Sequence, residues 1–369
     1  MTNGPAQVSR STKWRASNES NDLVFSVCAN FLAGEKASSV ARRIREQFGR
    51  PDITRQKIYP ILCEGVRRGY LVLSPPVERD LALRLAERFK LPRYEQDEKA
   101  VTVVASSRVN RNQDVAAAAA ELVVELIGRV AANPGRDKVH LGLGGGLSAM
   151  MVARRLAQRI YSDSQFPKLV LHTLSAGGFI PSEPQKSPVT YFSYFEGAAP
   201  RIEYVALFSE TVVSNEEFER VRANPSVRLT LERARDIDIV ITSLASADDP
   251  HGLLRQYLSW LVECGGLEKR AVEAMYEAGW VGDVQFRPYS ATGPLTKECA
   301  VRAVTLLELS DMVSWAKNLN KYIVLLGGPC AECFSSKVKA LRPLLENPDL
   351  RVFSHLVVDV QTARELLEG

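Results

Sequence analysis

From about residue 99 onward the chain alternates short apolar runs with stretches at helical spacing. This alternation limits the possible folds more than any other feature. The runs are KAVTVVASS, KVHLGL, KLVLHTLS, IEYVALF, DIDIVITSL, KYIVLLGG and LRVFSHLVVD, and the segment DVAAAAAELVVELIGRVAA between the first two is rich in strong helix formers. Strand, helix and strand in repetition predict an α/β fold, a parallel sheet with helices on both faces.

In such sheets ligands sit beyond the carboxyl ends of the strands. Here those ends lead into GGGLS (144–148), SAGG (175–178), TSLAS (242–246) and GGP (327–329), all small and backbone-exposing, while GDVQF (282–286) is read as a loop. Gly144, Gly145 and Gly146 let the main chain approach a ligand. The unpaired amides of the following helix, with Leu147 and the Ser148 hydroxyl, favour an anion such as phosphate or carboxylate. Gly177, Ser243, Asp283, Gln285 and Gly328 complete the expected rim. The glycine run lacks the lysine and spacing of a P-loop and does not match G-x-G-x-x-G, so nucleotide hydrolysis and a dinucleotide cofactor are disfavoured. No cofactor is expected.

The front of the chain differs. Residues 1–19 read as a mobile tail. In residues 20–75 the segments NDLVFSVCANFLAG, ASSVARRIREQFG and ITRQKIYPILCEGVRRGY have apolar positions at helical spacing: Leu23, Val27 and Phe31, then Val40, Ile44 and Phe48, then Ile58, Ile61 and Leu62. A short apolar strand, YLVL, and the stop SPP follow. Helix, helix, turn, helix, strand is the outline of a winged helix-turn-helix, whose third helix enters the DNA major groove. Thr54 is its N-cap, and Arg55, Gln56, Lys57 and Tyr59 fall on the groove side, where Arg can fork to guanine and Gln to adenine. Arg42, Arg43, Arg67 and Arg68 are candidate phosphate contacts. The connection GRPDI is long for such a turn, and Pro60 predicts a kink or a later helix start.

Charge supports the division. Residues 1–80 hold thirteen Lys and Arg against eight Asp and Glu, whereas the other 289 residues sum to −1. A polyanion partner would meet the N-terminal end. Six scattered cysteines suit a reducing cytoplasm. Cys330 and Cys333 form a C-x-x-C pair without a second pair or a histidine at zinc-finger spacing, so they read as buried thiols with no metal. No apolar run is long enough for a membrane span, and the first residues lack a secretion signal, so a cytoplasmic location is expected.

The order of these pieces resembles the SorC-type, sugar-binding bacterial transcriptional regulators. ITRQKIYPILCEGVRRGYLVL is similar to the family's recognition helix and strand, and HLGLGGGLSAM stands where the family has a glycine-rich loop. GDVQF with ATG (291–293) resembles its G-D-[IV] segment, and VLLGG followed by HLVVDVQTARELL its C-terminal strand, glycine pair and strand-helix. The resemblance implies a winged helix-turn-helix joined to a Rossmann-like effector domain, residues 76–369, of the sugar-phosphate isomerase and CoA-transferase kind. It implies a homodimer or homotetramer on double-stranded operator DNA, regulated by a small sugar or phosphorylated sugar. Leu147 and Ala331 depart from the family pattern where phosphate-directed cations often stand. The alternative is a sugar-phosphate isomerase or amino-sugar-phosphate deaminase, supported by the acid and base groups Asp248, Asp249 and His251 in SADDPHG. Helix-capping aspartates in a polar loop would explain the same residues.

Overall fold

The computed structural model describes residues 19–71, 74–106, 111–162, 166–176, 183–198 and 201–369. The chain divides into two compact units, Met1–Val72 and Leu73–Gly369.

In the first unit, α1 (Asn21–Leu32), α2 (Ala37–Phe48) and α3 (Arg55–Arg67) pack around Val24, Val27, Val40, Ile44, Ile53 and Ile58, all fully buried. The Ser20 side chain caps α1 by accepting from the Leu23 amide. Gly49 ends α2 in the left-handed conformation, φ 63°. The long connection is closed by ion pairs: Arg50 binds Glu19 at 2.6 Å and Asp52 at 2.7 Å, while Ile53 is buried in the core. Two expectations change. Phe31 is 37% exposed, because α1 turns Leu23, Val24, Val27 and Cys28 inward. Helix α3 does not start late: it begins at Arg55 and runs through Pro60 to Arg67. Pro60 and Gln56, whose carbonyl loses its amide partner, are both exposed, so water can replace the missing bond. Of the expected strand YLVL, Val72 and Leu73 lie outside the described residues. Tyr70 and Leu71 instead close the end of α3 by donating to the Gly65 carbonyl.

The second unit runs α4 (Arg79–Arg88), β1 (Val101–Val104), α5 (Arg111–Ala131), β2 (Lys138–Leu143), α6 (Leu147–Ser162), β3 (Lys168–Thr173), β4 (Ile202–Val205), β5 (Val212–Ser214), α7 (Asn215–Ala223) and α8 (Pro225–Glu232). It continues with β6 (Ile239–Ser246), α9 (Leu253–Glu263), α10 (Lys269–Glu277), β7 (Gly282–Val284), β8 (Arg287–Tyr289), β9 (Val301–Ala303), α11 (Leu309–Lys317), β10 (Tyr322–Leu326), α12 (Val338–Glu346), β11 (His355–Asp359) and α13 (Val360–Glu368). The seven apolar runs of the sequence contain seven strands of one sheet, in the order β1-β11-β10-β6-β2-β3-β4, and every pairing along that path is parallel. Residues 76–78 cover the outer edge of β1: Ala105 donates to the Pro76 carbonyl and Glu78 to that of Val103.

Alternate residues of each strand serve opposite faces. Ile323 and Leu325 join one core with α4, α12 and α13; Val324 and Leu326 join the other with α5 and α6. Both faces are therefore buried, which is why the strands read as continuous apolar runs.

Strands β2, β3 and β4 proceed outward in one direction, and β6, β10 and β11 in the other. The reversal lies between β2 and β6, which pair over Leu141–Ile239, Gly142–Val240 and Leu143–Ile241. Two segments read as following strand ends are placed differently. Residues 242–246 belong to β6 itself, because this strand runs on to Ser246. GDVQF is not a loop: Gly282–Val284 is β7, antiparallel to the end of β6, and Gln285–Phe286 is the turn into β8.

Gly282 permits that pairing. A Cβ there would come 2.7 Å from the Ala245 carbonyl and 2.6 Å from the Ala340 Cβ. Neither obstacle can swing away. Gly282→Ala should therefore lower stability by about 1–3 kcal/mol, read as a lower midpoint in urea unfolding with an unchanged slope.

Candidate functional site

A small cleft of about 70 Å³, open to solvent, lies at the carboxyl ends of β2, β6 and β10. This is where the strand order reverses, the place at which open parallel sheets bind ligands. One wall is the turn into α6. Gly145, Gly146, Leu147 and Ser148 line the cleft. Gly146, at φ 102°, takes a conformation that residues with side chains rarely adopt, and its amide donates to the Lys186 carbonyl at 2.9 Å. The first amides of α6 have no carbonyl one turn back, so they lack intrahelical partners at the helix end that lines the cleft.

The opposite wall is the β7–β8 hairpin. Gln285 and Phe286 form its two-residue turn, both left-handed, at φ 53° and 60°. Such turns favour Asn-Gly, so larger residues here hold strain and aim side chains at the cleft. The Gln285 Nε2 donates to the Thr242 hydroxyl at 2.6 Å, and its Oε1 is buried without a hydrogen-bond partner among the described residues. Gly144 sits behind this amide: a Cβ would lie 2.3 Å from Nε2. The first glycine of the run thus makes room for a side chain.

Charge inside the cleft is mostly compensated. Burial works against the charge on Lys186, yet bonds to Glu183 at 2.8 Å and Glu332 at 2.7 Å outweigh it and raise its pKa. Burial lowers that of Lys337, partly offset by Cys330, Asp249 and Asp283; its Nζ donates to the Leu244 carbonyl at 2.9 Å. Burial also pushes the Asp283 carboxyl up to about 7, against the opposing pull of Lys337 and the Phe286 amide.

Of the residues singled out in the sequence, Gly145, Gly146, Leu147, Ser148, Ser243, Asp283 and Gln285 line this cleft. Gly144 lies behind it, Gly328 packs on Asn112, and Gly177 falls outside the described residues. Asp249 and His251 also line it, whereas Asp248 is exposed and meets Lys339 at 3.4 Å. Lys186, Glu332 and Lys337 carried no pattern that marked them. The C-x-x-C reading requires correction. Cys330 is buried but Cys333 is exposed, and both sit with Asp249 and His251 in one cluster whose ligand atoms lie within 4.8 Å of one another. The two histidine-side partners stand about 80 positions earlier in the chain, beyond any local spacing rule.

In the first unit, Arg55, Gln56 and Tyr59 are exposed on α3, and Thr54 is its N-cap without a side-chain capping bond. Lys57 is exposed but bound to Asp52 at 2.7 Å, and Arg43 to Glu35 at 2.8 Å. Arg42 is exposed. Arg67 and Arg68 both pair with the buried Glu64.

Residues 77–368 match the family model described as "Putative sugar-binding domain". The chain belongs to this family. Its fold is that of SorC-type transcriptional regulators. The full-length sorbitol operon regulator SorC from Klebsiella pneumoniae is 15% identical, with a TM-score of 0.55 over 94% of this chain and 100% of that one. The probable sor operon regulator from Shigella flexneri is 15% identical, with a TM-score of 0.56 over 78% of this chain and 98% of that one. A DeoR family transcriptional regulator from Listeria monocytogenes is 18% identical, with a TM-score of 0.53 over 78% and 98%. No curated protein matches at a significant level. Among the described residues no helix is long and apolar enough to cross a membrane.

The Asp283 shift sets a pH dependence. Its folded pKa, about 7, lies above the ordinary 3.8, so the folded state holds a proton that the unfolded state releases. The stability from this group is complete below the ordinary value and is lost as pH rises through the folded one. Asp283→Asn should gain melting temperature over the parent at pH 8 and lose that advantage at pH 5, a difference on the order of a few kcal/mol.

Proposed function

We propose that this chain is a transcriptional regulator whose first unit binds operator DNA through α3 and whose cleft senses a small sugar or phosphorylated sugar without transforming it. The observation that carries the effector reading is the cleft at the β2–β6 reversal. One wall offers the glycine turn and the start of α6, suited to an anion; the other offers Asp283 and the unpaired Oε1 of Gln285, suited to hydroxyl groups. A phosphorylated polyol presents both chemistries. The nearby lysines already hold Glu183, Glu332 and a main-chain carbonyl, so the glycine turn is the better anion subsite.

Family membership and the names of the similar structures support regulation over catalysis, as does a basic N-terminal helical unit that an isomerase would not need. A cytoplasmic dimer or tetramer is the assembly such a role requires. Ligand would act by binding the operator-competent and incompetent states unequally.

A thermal-shift screen of sugar phosphates, free sugars and small carboxylates should yield one class that stabilises saturably, by about 2.7 kcal/mol at a hundredfold excess over Kd. Ser148→Asp should abolish that shift by setting a like charge beside the anion, while leaving the unliganded melting temperature nearly unchanged. Turnover of any of these compounds would instead favour the isomerase or deaminase reading.

The DNA half has its own test. Arg55→Ala combined with Lys57→Ala should weaken salt-sensitive retardation of the DNA upstream of the chain's own transcription unit by at least about tenfold. Unchanged retardation would mean that α3 is not the reading helix.

A further inference from the structure

Two loops leave neighbouring parallel strands at the same edge of the sheet. One joins β6 to α9 and holds Asp249 and His251; the other joins β10 to α12 and holds Cys330 and Cys333. Their side chains converge. The Cys330 Sγ lies 3.7 Å from the His251 Nδ1, that nitrogen lies 3.4 Å from the Asp249 Oδ1, and the same oxygen lies 3.9 Å from the Cys333 Sγ. A tetrahedral zinc with bonds of about 2.0–2.3 Å separates its ligand atoms by roughly 3.3–3.8 Å. Four donors of the right kinds thus stand at nearly the spacing that one ion would impose.

The local backbone is also arranged for a sulfur ligand. Cys330–Ser335 is a tight turn: the Phe334 amide donates to the Cys330 carbonyl at 3.1 Å, and the Cys330 amide to that of Ser335 at 2.9 Å. Phe334 takes the left-handed conformation, φ 60°, that closes it.

An outer layer is present as well. The second ring nitrogen of His251 lies 4.0 Å from Glu332, a carboxylate placed to orient the imidazole. Glu332 is held in turn by Lys186, whose own carbonyl takes the Gly146 amide. Two thiolates, a carboxylate and a divalent ion sum to one negative charge, and the buried Lys337 lines the same cleft.

We propose that Cys330, Cys333, His251 and Asp249 bind one zinc ion on the wall of the cleft, tying the β6 and β10 loops together. Two sulfurs and an imidazole select zinc over magnesium or calcium. The proposal does not rest on the effector reading, because occupancy is measured with no sugar present.

The test uses the full chain, purified in reductant, stripped with a chelator and titrated with zinc against a chromophoric competitor. One zinc per chain is expected, and cobalt(II) in its place should give the visible bands of a tetrahedral thiolate site. Cys333→Ser and His251→Ala should each weaken zinc binding by about 100-fold or more, and Glu332→Gln by about tenfold. Cys63→Ser, an exposed thiol elsewhere, should change nothing. Circular dichroism checks folding. Should Cys333→Ser fail to fold, His251→Ala, whose side chain is only 30% exposed but lies on a loop, decides alone. A stripped chain that takes up neither zinc nor cobalt overturns the proposal. So does unchanged affinity in the folded variants, or a Cys330–Cys333 disulfide that persists in reductant.

Discussion

The pairing of β2 with β6 joins two half-sheets, and the rest of the second unit is arranged by it. Three residue pairs and the bond from the Gly144 amide to the Ile241 carbonyl make the seam. On one side the chain builds outward through β3 and β4; on the other it builds through β10 and β11 to β1. Helices that follow β2 and β6 must leave the seam in opposite senses. The gap between them is therefore a consequence of chain order, and it exists whether or not a ligand fills it.

What makes the gap a site is the way it is furnished. The antiparallel hairpin β7–β8 extends β6 past the seam and brings Gln285 over Gly144, a contact that only a residue without a side chain permits. Lys186 and Glu332 are paired with each other and Lys337 with a main-chain carbonyl, so the wall is polar without a large unpaired field. On the proposed reading, such a surface discriminates the positions of hydroxyl groups, because a wrongly placed one leaves a buried partner unmatched.

Much of this was legible in the sequence, and what was not has a common cause. Strands buried on both faces announce themselves as unbroken apolar runs, and the glycines before α6 announce a close approach. Periodicity and composition are local quantities. The order of the strands is not local, and so neither is anything that depends on it. Gln285 explains Gly144 from 141 positions away, and the Asp249-x-His251 pair meets the C-x-x-C pair only because β6 and β10 are neighbours. Lys186 lies in a short 3-10 turn with no apolar pattern, and Lys337 stands just before α12, so nothing in their surroundings distinguishes them from surface lysines. Helix α3 shows the reverse error. Pro60 suggested a later start, yet the helix begins at Arg55, with Pro60 and Gln56 both exposed to water.

The turn at Gln285–Phe286 has a longer reach. Two residues with side chains held left-handed cost on the order of 1 kcal/mol or more each, whereas Asn-Gly would sit there without effort. Selection for heat tolerance alone would drift toward that relaxed pair and discard the amide that reaches across the gap. Robustness and the reach of Gln285 across the gap thus pull this corner in opposite directions.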